Sequence, residues 1–314
     1  MAFPERIEIL ELWIPITLAA AFLQNVRSGL QRHLKGVMGT TGTTFIRFGF
    51  GAPFAVTLVL LLHFGIGYEF PVISTRFLIW MVVGGLAQIA ATYLLLHLFS
   101  FRNFAVGTAY SRTEPAMAAM FGLIFLGEGV APTNLLAIGI CVLGVMLISV
   151  ARTNVGFIGL FTALAQRNAL VGLLSGALFG LAAISYRAAS LALGGPNFLM
   201  QASLTLAFVI VLQSFLLLAW MFLREPGQFE LVRRAWKPSF LVGIAGTSAS
   251  LGWFVAMTLQ NAAVVKALAQ VEMLFAFGTS VFLFKEKINR IEIAGCALIV
   301  AGIVAMMEIG RAHV

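Results

Sequence analysis

The 314-residue chain contains no aspartate at all, and only 10% of its residues are charged. A soluble domain carries roughly 25% charged residues. Without aspartate there can be no paired-aspartate catalysis, and neither a His-Glu-x-x-His nor a Gly-x-Ser-x-Gly motif occurs. Cysteine is nearly missing too. Cys141 and Cys296 lie alone inside apolar runs, with no Cys-x-x-Cys, and read as small packing residues. His33, His63, His97 and His313 are scattered, so no metal site is expected and no cofactor is implied. An enzyme therefore finds no catalytic set here.

What is present is apolar. Hydrophobic residues make up 61% of the chain, and the mean hydropathy is +1.00. No water-soluble fold hides that much apolar side chain, so the chain reads as an integral membrane protein whose helices satisfy their own backbone in lipid. The net charge of +8 does not point to nucleic acid. The bases sit in scattered loops with no basic domain or aromatic platform, and read as anchors against lipid headgroups. The first residues carry Glu5, Glu8 and Glu11 against Arg6, unlike the positive start of a secretory signal.

A helix needs about 20 apolar residues to cross a bilayer. Ten windows qualify: 12–31, 40–63, 76–98, 103–126, 131–151, 168–191, 197–223, 238–259, 262–284 and 290–309. Two connections are longer than the rest. Residues 152–167 hold a short apolar piece and residues 224–237 mix Arg224, Arg233, Arg234 and Lys237 with Phe229 and Trp236. Both are expected to lie in the headgroup plane.

The chain also repeats itself. Residues 103–126 and 261–284 align without a gap at an offset of 158, placing Ala105 on Ala263, Val106 on Val264, Glu114 on Glu272, Glu128 on Glu286 and Gly144 on Gly302. The expected organisation is a first five-helix repeat over 1–151, a connector over 152–167 and a second repeat over 168–314. Five is odd, so the second copy enters the membrane from the opposite side. The fold expected is an all-α membrane protein of ten transmembrane helices, two inverted five-helix repeats around a central cavity. Gly172, Gly176 and Gly180 form a small-xxx-small stripe, and Gly139, Gly144, Gly295 and Gly302 read as close helix contacts.

The stretch AVGTAYSRTEPAMAAMFGLIFLGE, with Glu114-Pro115 in mid-helix and Gly127-Glu128 at the exit, resembles the EamA domain of the drug/metabolite transporter superfamily. The second copy departs from it, with Met273 for Pro115 and Lys285 for Gly127. Helix number and length resemble the ten-helix members over essentially the whole chain. The resemblance implies export of a small metabolite by alternating access, in some members with proton coupling. It leaves the substrate open. The location expected is a bacterial inner membrane.

Seven ionisable residues fall inside the windows: Arg27, Arg47, Arg112, Glu114, Arg187, Lys266 and Glu272. Each costs about 2.5–3.5 kcal/mol at a helix centre on insertion scales, so each is expected to face water or a partner. Five are bases, and the surplus favours an anionic or zwitterionic solute such as an amino acid. On an uninterrupted helix Arg112 and Glu114 point about 200° apart. One face then offers Thr108 and Arg112, with Lys266 and Gln270 by the repeat, as substrate contacts. The other offers Tyr110, Glu114 and Glu272, bracing neighbouring helices or, alternatively, carrying protons for a cation exporter. Gln88, Tyr93 and Trp253 are further lining candidates. Arg27 with Asn25, and Arg187 with Tyr186, end the first helix of each half and are candidates for a gate or a carboxylate clamp. Arg47 reads as snorkelling or structural, and Glu128 and Glu286 as caps. A receptor or scaffold that moves no solute remains a rival reading. The expected partners are a small solute, the lipid bilayer and, in the alternative, protons. The positive-inside rule places both termini outside, whereas the ten-helix relatives keep both in the cytoplasm; a reporter fused at Val314 decides.

Overall fold

The computed structural model describes residues 12–98, 104–151, 166–282, 285 and 289–312. The described residues are helical, with no strand among them. The helices are α1 (Trp13–Leu34), α2 (Thr40–Gly49), α3 (Ala52–Leu60), α4 (Thr75–Leu98), α5 (Phe104–Ser111), α6 (Glu114–Phe121), α7 (Pro132–Val150), α8 (Arg167–Ala192), α9 (Phe198–Arg224), α10 (Gly227–Arg234), α11 (Trp236–Leu259), α12 (Ala262–Leu268), α13 (Val271–Phe282) and α14 (Arg290–Ala312). Wider π-type turns extend α3 over Leu61–Gly65 and α6 over Gly122–Leu126.

Among the described residues seven segments are long and apolar enough to span a membrane: Thr40–Gly65, Thr75–Leu98, Pro132–Ser149, Arg167–Ala192, Phe198–Arg224, Trp236–Leu259 and Arg290–Met307. The three other windows differ for identifiable reasons. The second half of α1 carries Gln24, Asn25, Arg27, Gln31 and Arg32, which dilutes its hydropathy. Windows 103–126 and 262–284 are each interrupted, so neither forms one long helix. The connector 152–165 and Glu286 lie outside the described residues. Within 224–237 the chain forms the short amphipathic α10, whose Val232 joins a core with Leu34, Met38, Phe45, Ile46, Met221 and Val242.

The chain divides into two compact units, each drawing on both sequence halves. The first takes its described helices from within Ala87–Ile184 and Gln260–Val314. In it α14 packs along α7, α12 packs on α6, and α5, α6 and α12 pack on α7. Glycine sets these approaches. A side chain at Gly144 would run into the Gly295 carbonyl, and one at Gly295 into the Gly144 carbonyl, each at 2.7 Å. Gly302 stands against Cys141, whose thiol donates to the Ile299 carbonyl at 3.8 Å. Gly139, by contrast, faces open space rather than the helix contact expected of it. The second unit comprises Pro15–Leu86 and Ser185–Leu259. There α9 packs against α2, α3 and α11, and α2 packs against α10 and α11.

Candidate functional site

In the first unit the chemistry gathers at the two interruptions. Pro115 has no N–H to give the Ser111 carbonyl, so the helix cannot continue through it. The chain instead takes a tight turn, with Arg112 N–H donating to the Ala109 carbonyl at 3.1 Å and Thr113 N–H to the Tyr110 carbonyl at 3.2 Å. Hydroxyls reinforce the turn. Ser111 Oγ donates to the Thr108 carbonyl and Thr113 Oγ1 to the Tyr110 carbonyl, both at 2.8 Å. Pro115 then sits in the first turn of α6, where a missing N–H costs nothing.

The second copy breaks at the matching place without a proline. Gln270 N–H donates to the Ala267 carbonyl at 3.1 Å, Glu272 N–H to the Ala269 carbonyl at 3.0 Å and Met273 N–H to the Gln270 carbonyl at 2.9 Å. The Gln270 side chain, buried, donates to the Lys266 carbonyl at 3.2 Å. The glycine stripe of α8 covers the first break at backbone distance. Gly172 abuts the Gly107 backbone, Gly176 the Ser111 and Tyr110 carbonyls, and Gly180 the Ala118 N–H and the Glu114 carbonyl.

The interruption changes which side chains meet. An uninterrupted helix places Lys266 and the acids on opposite faces; the structure instead pairs Lys266 Nζ with Glu114 Oε1 at 2.8 Å, each side chain 19% exposed. The turn at 112–113 resets the helical phase, so angles counted across it do not hold. Arg112 and Thr108 are half-buried beside the break, and Tyr110 is buried. Glu272 is half-buried in the first turn of α13. Glu128 lies past the left-handed Gly127 and accepts from Asn261 Nδ2 at 3.2 Å, while Asn261 caps α12. Of the other candidates in this unit, Gln88 is half-buried. Tyr93 is 69% exposed, with its ring parallel to that of His97 at 6.2 Å.

The second unit has its own polar set. Trp253 is buried and its Nε1–H donates to Gln24 Oε1 at 2.9 Å. Tyr186 is buried, stacks on Phe254 at 4.5 Å and donates to the Gly84 carbonyl at 3.1 Å. Gln213 holds the Gly85 carbonyl at 3.2 Å and reaches the Tyr186 hydroxyl at 3.4 Å. Arg187 donates through Nη1 to the Met257 carbonyl at 2.7 Å and the Thr258 carbonyl at 3.3 Å, at the C-terminus of α11. A cation there offsets the negative end of the helix dipole. Asn25 is half-buried on α1, and Arg27 is only 8% exposed. Arg27 and Arg187, the candidates for a gate or a carboxylate clamp, make different contacts: Arg187 with α11 carbonyls, Arg27 with the neighbourhood of Arg47 and Gly246. Sequence reading passed over Gln24 and Gln213 as site residues and took Arg47 as snorkelling or structural. The signal for the two glutamines was an isolated amide in an apolar span, which seldom stays without a partner.

A surface hollow of about 460 Å³ lies at α10, lined by Glu225, Gln228, Glu230, Leu231 and Arg234, and none of the sequence candidates borders it. Arg233 and Arg234 both hydrogen-bond Glu230 there, which holds its carboxyl down at about 2. Among the described residues no group of three His, Cys or Glu side chains could hold a metal.

These features define an all-helical, multi-pass integral membrane protein with interrupted helices in both copies of a repeat. The chain belongs to the EamA-like transporter family, whose model matches it twice, over residues 12–150 and 166–307. Members of that family are transporters. A solved structure described as "Crystal structure of protein" superposes with a TM-score of 0.71 and 15% identity, covering 96% of this chain and 98% of the other. A likeness at that identity establishes the fold alone. No curated protein matches the sequence.

Proposed function

We propose that this protein is a secondary transporter that exports small polar metabolites, amino acids or related anionic and zwitterionic solutes, by alternating access. Its two sequence halves are five-helix repeats of inverted topology, ten helices in all, seated in a bacterial inner membrane. One observation carries the reading. Helices interrupted at matching positions 158 residues apart bring Glu114 and Lys266 together inside apolar segments. Broken spanning helices free backbone groups and place charge at membrane depth, an arrangement secondary transporters use to bind solutes. A packing scaffold has no need for either.

In this reading Arg112, Thr108, Gln270 and Lys266 contact the solute, with Gln88, Tyr93 and Trp253 lining its path. Glu114 and Glu272 brace the broken helices. Because Glu114 already offsets Lys266, the Arg112 charge is left to favour a solute carboxylate.

The test is counterflow in proteoliposomes preloaded with amino acids and small carboxylates. Exchange is expected for at least one of them and is expected to fall at least tenfold in Arg112→Ala with folded protein still in the membrane. No exchange across the panel would end the carrier reading. Normal exchange in both Arg112→Ala and Lys266→Ala would leave the carrier and remove this binding face.

A further inference from the structure

We propose that the hollow at α10 binds the phosphoethanolamine headgroup of a membrane phospholipid, its ammonium on Glu225 and its phosphate on Arg234 and Gln228. The site requires only that the helices joined by α10 span a bilayer, and it holds whatever the protein carries.

Its position follows from connectivity. α9 and α11 are each long and apolar enough to cross a membrane, and α10 joins the end of one to the start of the other. Pro226 cannot continue a helix, so α9 stops at Arg224 and the chain turns through Glu225 into α10. A link between two spanning helices stands at the ends of both, beyond the hydrocarbon and at the level of the headgroups. Aromatic rings mark the same level. Trp220 near the end of α9 is 53% exposed and Trp236 at the start of α11 is 54% exposed. Arg224 stands over the Trp220 ring at 6.0 Å and Lys237 over the Trp236 ring at 5.9 Å.

The distribution of charge selects the ligand. Residues 224–237 carry four bases, Arg224, Arg233, Arg234 and Lys237, and two acids, Glu225 and Glu230. Arg224, Arg233 and Lys237 do not line the hollow, whereas Glu225, Gln228, Glu230 and Arg234 do. Glu230 is fully engaged. It accepts from Arg233 Nε at 2.9 Å, from Arg233 Nη2 at 3.0 Å and from Arg234 Nε at 2.8 Å. It thereby holds Arg234 in place, and the two Nη groups of Arg234 donate to no protein group among the described residues.

Glu225 is held from the other side of the hollow by neutral donors. Its Oε1 accepts from Thr41 Oγ1 at 2.9 Å and from Trp220 Nε1 at 3.3 Å. Its Oε2 has no donor, and it pairs with no base, among the described residues. Gln228 Oε1 accepts from the Gly39 N–H at 3.1 Å, which leaves Nε2 to donate into the hollow that it lines.

A simple anion entering here meets the Glu225 carboxylate, and a simple cation meets the Arg234 guanidinium. A group bearing both signs meets neither penalty. The paired Nη groups of arginine match the edge of a phosphate. A primary ammonium donates hydrogen bonds to a carboxylate, whereas a quaternary ammonium donates none and favours aromatic faces, and no aromatic side chain lines the hollow. Leu231 supplies an apolar wall. The volume of about 460 Å³ falls within the range of small-ligand sites, about 300–1,000 Å³. At headgroup level the zwitterion present in quantity is a phospholipid.

The experiment uses the full chain purified in an uncharged detergent. Dioleoyl phosphatidylethanolamine, phosphatidylcholine and phosphatidylglycerol are titrated into the micelles at matched mole fractions. Thermal unfolding and native mass spectrometry of retained lipid are the readouts. Phosphatidylethanolamine is expected to raise the Tm saturably and to bind at least fivefold tighter than the other two. Glu225→Gln keeps an acceptor for Thr41 and Trp220 but removes the charge. It is expected to weaken phosphatidylethanolamine at least fivefold without weakening phosphatidylglycerol. Arg234→Gln is expected to weaken phosphatidylethanolamine at least fivefold, and this exposed side chain decides the matter if Glu225→Gln does not fold. Lys237→Gln, outside the hollow, is expected to change binding less than twofold. Equal binding of the three lipids, or wild-type affinity in Glu225→Gln and Arg234→Gln, would overturn the site. Preference for phosphatidylglycerol with dependence on Lys237 would replace it by a general basic surface. Water-soluble glycerophosphoethanolamine binding as tightly as the lipid would overturn the assignment to a phospholipid.

Discussion

All the glutamates that fall within the apolar sequence windows, Glu114, Glu272, Glu292 and Glu308, belong to one compact unit, where Lys266 meets Glu114 at 2.8 Å. The spanning helices of the other unit hold Arg27, Arg47 and Arg187 and no acid. The first unit cancels charge with charge. The second disperses it over dipoles: Arg187 on two carbonyls at a helix end, and Arg47 at 4.9 Å over the Phe48 ring. The contrast teaches that buried bases in one protein need not share a role. A base opposed by an acid is nearly neutral to a passing solute, whereas carbonyls at a helix end and a ring face offset a base by partial charges alone.

The largest expected effect comes from breaking the acid–base pair. Lys266→Met leaves Glu114 without its cation and is expected to cost about 2–4 kcal/mol of stability, toward the lower part of the range for a buried pair because both partners are partly exposed. Adding Glu114→Gln to Lys266→Met is expected to restore most of it, measured by thermal unfolding in detergent. A double variant no better than the single would show that the pair is not the relevant interaction.

Next in size is the glycine stripe behind the first break. Gly176→Val drives a branched side chain into the Ser111 and Tyr110 carbonyls and is expected to cost about 1–3 kcal/mol. Gly139→Ala, facing open space, is expected to be near neutral or slightly stabilising in the same assay. In the second unit, Arg187→Gln removes a cation from the end of α11 and is expected to cost about 1 kcal/mol. If it costs as much as Lys266→Met, the proposed difference between the units fails.

The smallest effect concerns pH and the Glu230 carboxyl of α10. The Glu230 carboxyl is lowered from 4.5 to about 2 by hydrogen bonds from Arg233 and Arg234. A carboxyl depressed on folding contributes stability that is full above its unfolded value and lost as pH falls toward its folded one. Glu230→Gln is therefore expected to flatten the change in Tm between about pH 5 and pH 2. The group is exposed, so the change is small, and an unaltered slope would show that the arginines do not hold it.

The legible part of this molecule follows from periodicity and composition. Seven of the helical windows and the duplicated segment could be read because lipid demands long apolar helices and repetition leaves its mark on sequence. Pro115 also carried a message: a proline in mid-window withholds an N–H from the carbonyl four residues back. Yet the second copy breaks with Met273 in that place, and no residue there announces it. Its interruption depends on tight turns whose carbonyls are met by the Gln270 side chain and on packing of α12 against α6 and α7.

The residues themselves determined that this chain lives in a membrane, that it is helical, that it is doubled, and that it spends buried charge. They could do so because those properties are sums over side chains. Which charges meet was decided only in three dimensions. Lys266 reached Glu114 because a broken helix changed its phase, and the stems of Arg27 and Arg47 both come against Gly246, where α11 presents hydrogen in place of a side chain. Such pairings depend on the close approach of segments far apart in the chain, and local sequence carries no record of that distance.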